Sequence, residues 1–344
     1  MTLVATLPDP LQDVAPPRNR SGAAAWMYWL VRRIGLAVLT LWFVSILVFL
    51  ATAALGDPVR AILGRDYDAS PGRVAALEDQ LNVDQPLVQR YFSWLGGLLT
   101  GDPGTSLASQ QPVAELISDN VLNTLVLVLL SAVVMIPVAF AIAMVSAHYR
   151  RRRGDTVIQT VLLTLAGLPE FVIGVLLVAL FSTTVFKLLP AVTISSPTGN
   201  PWDSPDAMVL PVATLVLAVA PYVSRIVRST LLDVLDSDYV ELARLKGIPE
   251  SVVMRKHALL NAIVPGIQVI ALQLAWLAGG VVVVETLFSY PGVGLQLVDS
   301  VRNHDVPMVQ VLSMIIAAVY VVVNLVADLL SILLTPRSRT AISS

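Results

Sequence analysis

The sequence predicts an all-α polytopic membrane protein with six transmembrane helices. Of its 344 residues, 56% are hydrophobic and only 13% are charged, and the mean hydropathy is +0.77. In a soluble domain about 25% of the residues are charged. Several apolar runs also exceed the roughly 18 residues that indicate a helix long enough to cross a bilayer. The chain is therefore predicted to have little mass outside the membrane.

Each predicted span is an apolar run bounded by charged, Pro-rich or Gly-rich sequence. The first follows an aromatic and basic anchor that begins at Trp26, and we interpret it as a retained helix because it lacks a small-residue cleavage site. Gly167 and Pro169 interrupt the third span, and Pro137 lies inside the second. The six spans are predicted at about 34–55, 121–147, 157–186, 208–227, 263–287 and 308–334.

These spans divide the chain into successive parts. We predict a disordered cytoplasmic tail at 1–25, an anchor and first transmembrane helix at 26–55, an external region with short helices at 56–120, a five-helix core at 121–337 that includes a cytoplasmic loop at 228–262, and a cytoplasmic tail at 338–344.

The distribution of basic residues predicts the orientation. Six spans place both termini on one side, and that side holds 16 of the 22 Lys and Arg residues, including the run 150–153. Basic residues concentrate on the cytoplasmic side of membrane proteins, where they also meet anionic lipid. Both termini and the 228–262 loop are therefore predicted to be cytoplasmic, and region 56–120 is predicted to face outward.

The composition excludes several classes of function. The chain has no cysteine, which excludes disulfides and thiol catalysis, and its net charge of −2 offers no basic footprint for nucleic acid. None of its three lysines follows a glycine, so it has no Walker A loop, and it has no His-Glu-x-x-His or Gly-x-Ser-x-Gly sequence. Its three histidines are too widely spaced to predict a metal site. We therefore predict a chain that is not an enzyme and that binds no metal or cofactor itself.

The most informative segment is the charged stretch 238–265, between the fourth and fifth spans. Ser237 or Asp238 can cap a short helix that runs through Lys246. Gly247 suits the left-handed turn that follows a helix. The pattern predicts a short helix closed by a tight turn.

A second helix is predicted immediately after this turn. Pro249 suits its first turn, and the helix covers about 250–260 and carries Arg255, Lys256 and His257. A rigid helical pair lying across a membrane surface can transmit a push, which a floppy loop could not.

This segment carries a resemblance to a known family. Residues 241–247 read Glu-Leu-Ala-Arg-Leu-Lys-Gly, and with Pro265 downstream they resemble the "EAA" signature of ATP-binding-cassette (ABC) importer permeases, with Leu242 in place of the first alanine. The wider stretch resembles the oligopeptide, dipeptide and nickel permease family, in particular the B member of its permease pair, and the likeness covers roughly 27–339. The matching positions are Tyr239, Val240, Ala243, Arg244, Lys246, Gly247, Val253, His257, Leu259, Asn261, Ala262 and Pro265.

The resemblance implies a type I ABC importer permease fold with a cytoplasmic coupling helix at about 247–257, in a bacterial inner membrane. It implies a homologous permease subunit as heterodimer partner, two ATPases that bind ATP and Mg, and an extracytoplasmic solute-binding protein. This chain would form half of the translocation pathway. The resemblance assigns ATPase docking and coupling to Tyr239, Glu241, Ala243, Arg244, Lys246, Gly247, Ile248, Pro249 and His257.

The cargo implied by the resemblance is short peptides. The same kind of importer carrying nickel chelates, glutathione or another small solute is an alternative. A passive channel would leave the 238–265 segment unexplained. A membrane-embedded enzyme would need ionisable residues that converge at membrane depth, and only Glu170 clearly qualifies.

Three polar residues within the spans are candidates for the translocation pathway: Glu170, Gln273 and Asn324. An ionisable side chain in a span is costly unless it faces a cavity or a partner. Glu170 either faces the pathway or bonds the backbone freed by Pro169. Gln273 and Asn324 either line the path or hold helices together. Glu285 and Asp328 are predicted to have structural roles, Asp328 by pairing within the bundle.

Overall fold

The structure, a computed structural model, describes residues 22–54, 72, 74, 85–193, 203–249, 252–254 and 259–334. Several sequence-based predictions fall on residues outside these ranges. They are the tail over residues 1–21, most of 56–84, the C-terminal tail, and Arg255, Lys256 and His257 of the predicted second coupling helix.

The described residues are predominantly helical. The helices are α1 (Gly22–Ala54), α2 (Leu87–Thr100), α3 (Val113–His148), α4 (Arg153–Gly167), α5 (Glu170–Val178, continued by a π-helical turn at Ala179–Thr183), α6 (Pro205–Leu235), α7 (Asp238–Leu245), α8 (Leu259–Phe288), α9 (Val293–Arg302) and α10 (Val306–Leu334).

Four of these helices, α1, α3, α6 and α10, are long and apolar enough to cross a membrane unbroken. Counting two bent pairs as one span each gives up to six spans, in accord with the predicted number. α3 begins at Val113, eight residues before its predicted start, because a helix continues past its apolar core into the polar interface. The segment 113–120 therefore belongs to a spanning helix.

The third span is sharply bent. α4 and the helical segment Glu170–Thr183 meet at 105°. Leu168 has extended backbone angles of φ −87° and ψ 133°, because the ring of Pro169 clashes with a helical conformation of the preceding residue. Pro169 also has no N–H to offer the helical ladder. The predicted interruption at Gly167 and Pro169 is therefore a change of direction.

The fifth span also bends near one end, and there the sequence-based prediction was incomplete. Only four residues separate the end of α8 at Phe288 from α9, which begins at Val293, and the end of α8 and α9 meet at 74°. α9 is amphipathic, with Val293, Gly294 and Ser300 buried. Its ten residues are too few to stand out as a span, so hydropathy alone did not reveal it.

Helix α6 is the centre of the bundle. Of its most apolar 18-residue window, 72% is buried, compared with 11% for α1. It packs against α3, α8, α5 and α4, whereas α1 packs mainly on α10. Since α7 follows α6 after two residues, a displacement of α7 acts directly on the core.

Candidate functional site

The segment after α6 forms a short helix seated on the core. Val240 and Ala243 of α7 are buried and belong to the same apolar cluster as Leu231, Leu235 and Val253. Positions 240 and 243 lie on one face of a helix because they are three residues apart. The sequence therefore folds this segment against the end of α6 and keeps it from lying free in solvent.

The predicted cap of α7 is wrong in one detail. Ser237 occupies the N-cap position, but its hydroxyl makes no capping bond and instead donates to the carbonyl oxygen of Val234 at 2.5 Å. The hydroxyl is used to close the end of α6. Asp238 and Glu241 in the first turn still place negative charge near the positive end of the helix dipole. The helix ends at Leu245, with Lys246 as C-cap.

The turn after α7 has the geometry that the sequence predicts. Gly247 has φ +76°, and its N–H donates to the carbonyl of Arg244 at 2.9 Å, while the N–H of Ile248 donates to the carbonyl of Ala243 at 3.2 Å. This pair of bonds is a Schellman motif, and it needs a left-handed residue that glycine supplies without a Cβ penalty. Ile248 packs on the core cluster, so the turn is fixed at both ends.

An apolar face of α7 remains uncovered. Tyr239, Leu242 and Leu245 are 46%, 53% and 78% exposed, and their spacing of three residues places them along one side of the helix. Exposed apolar side chains that form a contiguous face commonly mark an interaction site. The charged Glu241 and Lys246 are exposed beside them. Pro249 is also exposed, and a new turn begins there. Its carbonyl accepts the N–H groups of Val252 and Val253.

A network of charged side chains ties this end of the molecule together. Arg228 of α6 donates to both carboxylate oxygens of Asp155 in α4, at 3.1 and 2.5 Å, and Ser146 of α3 donates to the same carboxylate at 2.7 Å. The Asp155 and Arg228 side chains are only 11% and 19% exposed. The Asp155 carboxylate therefore joins α3, α4 and α6. Its partner Arg228 lies ten residues before α7 begins.

A second ion pair lies closer to α7. Arg150, in the turn after α3, donates to Asp236 at 2.6 Å. That hydrogen bond from Arg150 is the main reason that the pKa of Asp236 lies below its usual value. Arg244 of α7 donates to the carbonyl of Leu235 at 3.2 Å. Asp236 follows directly on α6, so these contacts join α3, α6 and α7 at one surface.

Sequence reasoning missed Asp155 and Arg228 as partners. Asp155 follows the arginine run 150–153 and precedes an apolar run, a pattern typical of a helix start, and this was the one available signal. No spacing rule connects it with Arg228, 73 residues later.

The opposite end of the bundle holds a buried carboxylate. Glu285 of α8 is fully buried and accepts hydrogen bonds from the Thr124 hydroxyl at 2.6 Å and from the backbone N–H groups of Gly294 and Leu295 at 2.6 and 3.3 Å. A Cβ on Gly292 would lie 2.1 Å from its Oε1. The carboxylate therefore holds the first turn of α9 and has a structural environment, as predicted.

Asp305 plays a similar structural part. This buried residue precedes α10 and accepts from the Ser106 hydroxyl at 2.5 Å and from the N–H of Leu107 at 3.1 Å. It thereby joins the loop after α2 to the bundle. Asp328, at the other end of α10, pairs with Arg33 of α1, and the predicted pairing of Asp328 within the bundle is confirmed.

The three candidate pathway residues occupy different places. Glu170 begins α5 at the 105° bend, and its carboxylate lies against Gly280 of α8. Gln273 is half-buried, two turns from Gly280 along the same helix. Asn324 lines a groove of about 250 Å³ between α1 and α10, and its side chain donates to the Tyr320 carbonyl. Gln273 and Gly280 share one helix face because they are seven residues apart.

The described ranges contain no group of three or more His, Asp or Glu side chains placed to hold a metal ion. The polar clusters are carboxylates already bonded to arginine, hydroxyl or backbone donors, as at Asp155 and Glu285.

Comparison with known families decides the class of protein. Residues 136–340 match the family described as binding-protein-dependent transport system inner membrane component, and residues 26–128 match the family of its N-terminal part. The chain belongs to this family. It is a permease subunit of an ABC importer, with the type I permease fold, and the transport component itself is not an enzyme.

Relatives cover nearly the whole chain. The glutathione transport system permease protein GsiC of Salmonella choleraesuis (strain SC-B67) and that of Salmonella typhi are each 38% identical over 313 residues, which is 91% of this chain and 98% of theirs. The protein of the same name from Escherichia coli (strain K12) is 36% identical over the same length. The family places this permease in the inner membrane as a multi-pass protein and implies ATPase and binding-protein partners.

Proposed function

We propose that this permease forms half of the translocation pathway of a heterodimeric importer of short peptides, with a tripeptide such as glutathione as the first cargo to test. The second half is a homologous permease subunit. Two ATPases hold ATP and Mg at the cytoplasmic side, and an extracytoplasmic binding protein delivers the cargo. The family implies such partners, and the role of the GsiC relatives in glutathione transport favours glutathione within the peptide class.

The single observation that carries the coupling role is the geometry of residues 237–249. Two buried residues of α7 anchor it on the α6 cluster, the Gly247 turn is closed by two backbone bonds, and Tyr239, Leu242 and Leu245 form an exposed apolar face. A rigid element joined directly to the core helix transmits a force, and an exposed apolar face of this kind suits a protein partner. We assign ATPase docking to this element and to the residues that follow it, through His257.

The orientation belongs to the same proposal. The α7 end carries Arg150 to Arg153, Arg244 and Lys246, and the excess of basic residues on this side supports a cytoplasmic location for both termini and for α7. The opposite end, with α2 and α9, then faces the binding protein.

A pair of matched substitutions tests the docking surface. Leu245 and Leu99 are 78% and 79% exposed, but Leu99 lies on α2 at the other end of the bundle. We expect Leu245→Ser to reduce retention of the ATPases when the complete complex is purified, and to reduce ATP-dependent uptake with it. Leu99→Ser is expected to retain the ATPases. Equal retention in both variants would overturn the assignment.

The cargo is tested with the complete complex and its own binding protein in lipid vesicles. We expect glutathione or other short peptides to stimulate ATP hydrolysis and to accumulate inside. Stimulation by a nickel chelate alone would replace the cargo class and leave the importer in place. ATP-independent flux, with no ATPase retained, would instead support a channel.

A further inference from the structure

Glu170 stands at the point where the third span changes direction. It is the first residue of α5, directly after Pro169 and the 105° bend. The N-terminus of a helix carries partial positive charge, which stabilises an ionised carboxylate there. Glu170 is half-buried in an otherwise apolar part of the chain, and this burial opposes the charge, so an ionised carboxylate here needs a cation or water beside it.

Within the described ranges, the Glu170 carboxylate has no hydrogen-bond or ion-pair partner. The backbone groups around Pro169 are bonded among themselves: the N–H of Leu168 donates to Leu165, and the Pro169 carbonyl accepts from Val172 and Ile173. The carboxylate is thus not used to repair the helix break, which was the structural alternative for this residue. By contrast, Glu285 in the same bundle is bonded to three donors.

The surface facing Glu170 is a position of α8 that carries no side chain. A Cβ placed on Gly280 would lie 3.0 Å from Oε2 of Glu170, and one placed on Gly279 would meet no atom within 4 Å. The carboxylate therefore lies directly against the α8 backbone at Gly280, where no side chain separates the two helices. Gly280 lies eight residues before the end of α8 at Phe288, which is about 12 Å along the helix axis. This position is inside the membrane-spanning part of the chain.

A carboxylate at such a depth requires a cationic partner or a water-filled cavity. No second carboxylate or histidine in the described ranges joins it to form a metal site. The cation that fits is a single ammonium group, which makes hydrogen bonds to one carboxylate and needs no further ligand set. Every peptide with an unmodified amino terminus carries such a group, and so does glutathione.

We propose that Glu170, which lies against the α8 backbone at Gly280, is the permease site for the ammonium group of the peptide cargo. This inference rests on the proposed function, since it assumes a peptide cargo. The site favours cargo with a free amino group over the same cargo acetylated at that nitrogen. Acetylation removes the positive charge of that nitrogen. A hydrogen bond between two charged groups is stronger than one from a neutral amide.

The test compares uptake of a tripeptide and its Nα-acetyl form by the complete complex in vesicles. For each complex, the preference ratio is the uptake of the free tripeptide divided by the uptake of its acetylated form. The binding protein is the same in every sample, so its own preference cancels when the ratio of a variant is divided by that of the unmodified complex. We expect Glu170→Gln to reduce the preference for the free peptide by about tenfold or more, the equivalent of one charge-assisted hydrogen bond. The loss should appear mainly against the free peptide, with the acetylated peptide little affected.

Two further variants sharpen the result. Glu170→Asp retains the carboxylate and should retain part of the preference for the free peptide. If Glu170→Gln fails to assemble, the preference ratio is measured with Glu170→Asp. Glu115→Gln removes an exposed carboxylate of α3 and should leave the ratio unchanged.

The outcomes separate this inference from the proposed function. If Glu170→Gln lowers uptake of both peptides by the same factor, the carboxylate has another partner, such as a cation on the second permease subunit, and the inference is overturned while peptide transport stands. If the unmodified complex accumulates neither peptide but responds to another solute, both the cargo class and the ammonium site are overturned.

Discussion

Arg228 of α6 holds Asp155 of α4 through two hydrogen bonds, from Nε to Oδ1 at 3.1 Å and from Nη2 to Oδ2 at 2.5 Å. This paired geometry fixes orientation as well as distance. Ser146 adds a third bond from α3. Three helices therefore converge on one carboxylate, and Arg228 lies ten residues before α7 begins.

Removing one member of this pair should destabilise the bundle. We expect Arg228→Met to lower the free energy of unfolding by about 2–3 kcal/mol, because the mostly buried Asp155 carboxylate would lose its counter-charge. The midpoint of thermal unfolding of the purified complex measures this. Arg150→Met, which breaks the more exposed pair with Asp236, serves as the control and should have a much smaller effect. Equal shifts in the two variants would contradict the structural role given to Arg228.

Gly247 provides a test of the turn after α7. Its φ of +76° makes a Cβ unfavourable, so Gly247→Ala should cost about 1–2 kcal/mol locally. Gly247→Pro should do more, because proline cannot adopt this φ and removes the N–H that donates to Arg244. We expect the proline variant to retain a folded bundle but to lose coupling of ATP hydrolysis to uptake.

Gly101 is the matched control for this turn. It has φ +86° and closes α2 with the same pattern of bonds, at the opposite end of the bundle. Gly101→Ala should carry a similar local cost and leave the ATPases bound. Full ATP-dependent uptake by the Gly247→Pro complex would show that this turn does not transmit force.

The buried carboxylate at the α9 end is expected to act in folding and not in cargo choice. Glu285→Gln leaves one acceptor oxygen in place of two, so the side chain cannot accept from both the Thr124 hydroxyl and the Gly294 N–H. We expect a loss of about 1–3 kcal/mol in stability, with an unchanged ratio between free and acetylated peptide. Uptake ratios measured beside those of Glu170→Gln check this. A changed ratio would give Glu285 a role in the pathway.

Gly294 is a position where added volume should be poorly tolerated. A Cβ there would lie 2.5 Å from the Cα of Val282 and 2.8 Å from Oε2 of Glu285. Because the nearer atom is backbone, it cannot move aside cheaply, and we expect Gly294→Ala to reduce the yield of folded complex severely. Gly96→Ala in α2 is the control, because no atom lies within 4 Å of its Cβ position. It should leave stability unchanged or slightly raised. The yield of monodisperse complex after purification compares the two.

Local features of the fold were predictable from sequence. The break at Pro169 follows from the chemistry of one residue and its neighbour, and the left-handed Gly247 turn follows from the backbone freedom of glycine. The end of α7 was misplaced by one residue, and the Ser237 cap was wrong because the hydroxyl bonds the preceding helix. Such a choice between two nearby acceptors depends on how the helices meet.

The pairings between helices were not predictable. Arg228 and Asp155 are separated by 73 residues, and Glu170 and Gly280 by 110. In the sequence, each of these residues is an isolated charge or an isolated glycine. Which of them meet depends on the rotation and depth of every packed helix, and no spacing along the chain encodes this.

The sequence by itself predicted a six-span membrane permease, because span length is a compositional property and the family resemblance is carried by a local motif at 238–265. The tertiary structure decided which charges are satisfied. It placed Asp155 against an arginine and Glu285 against backbone donors, and it left Glu170 against Gly280 with no donor. The physical reason is that the cost of a charge in the membrane depends on its three-dimensional neighbours, and only packing brings those neighbours together.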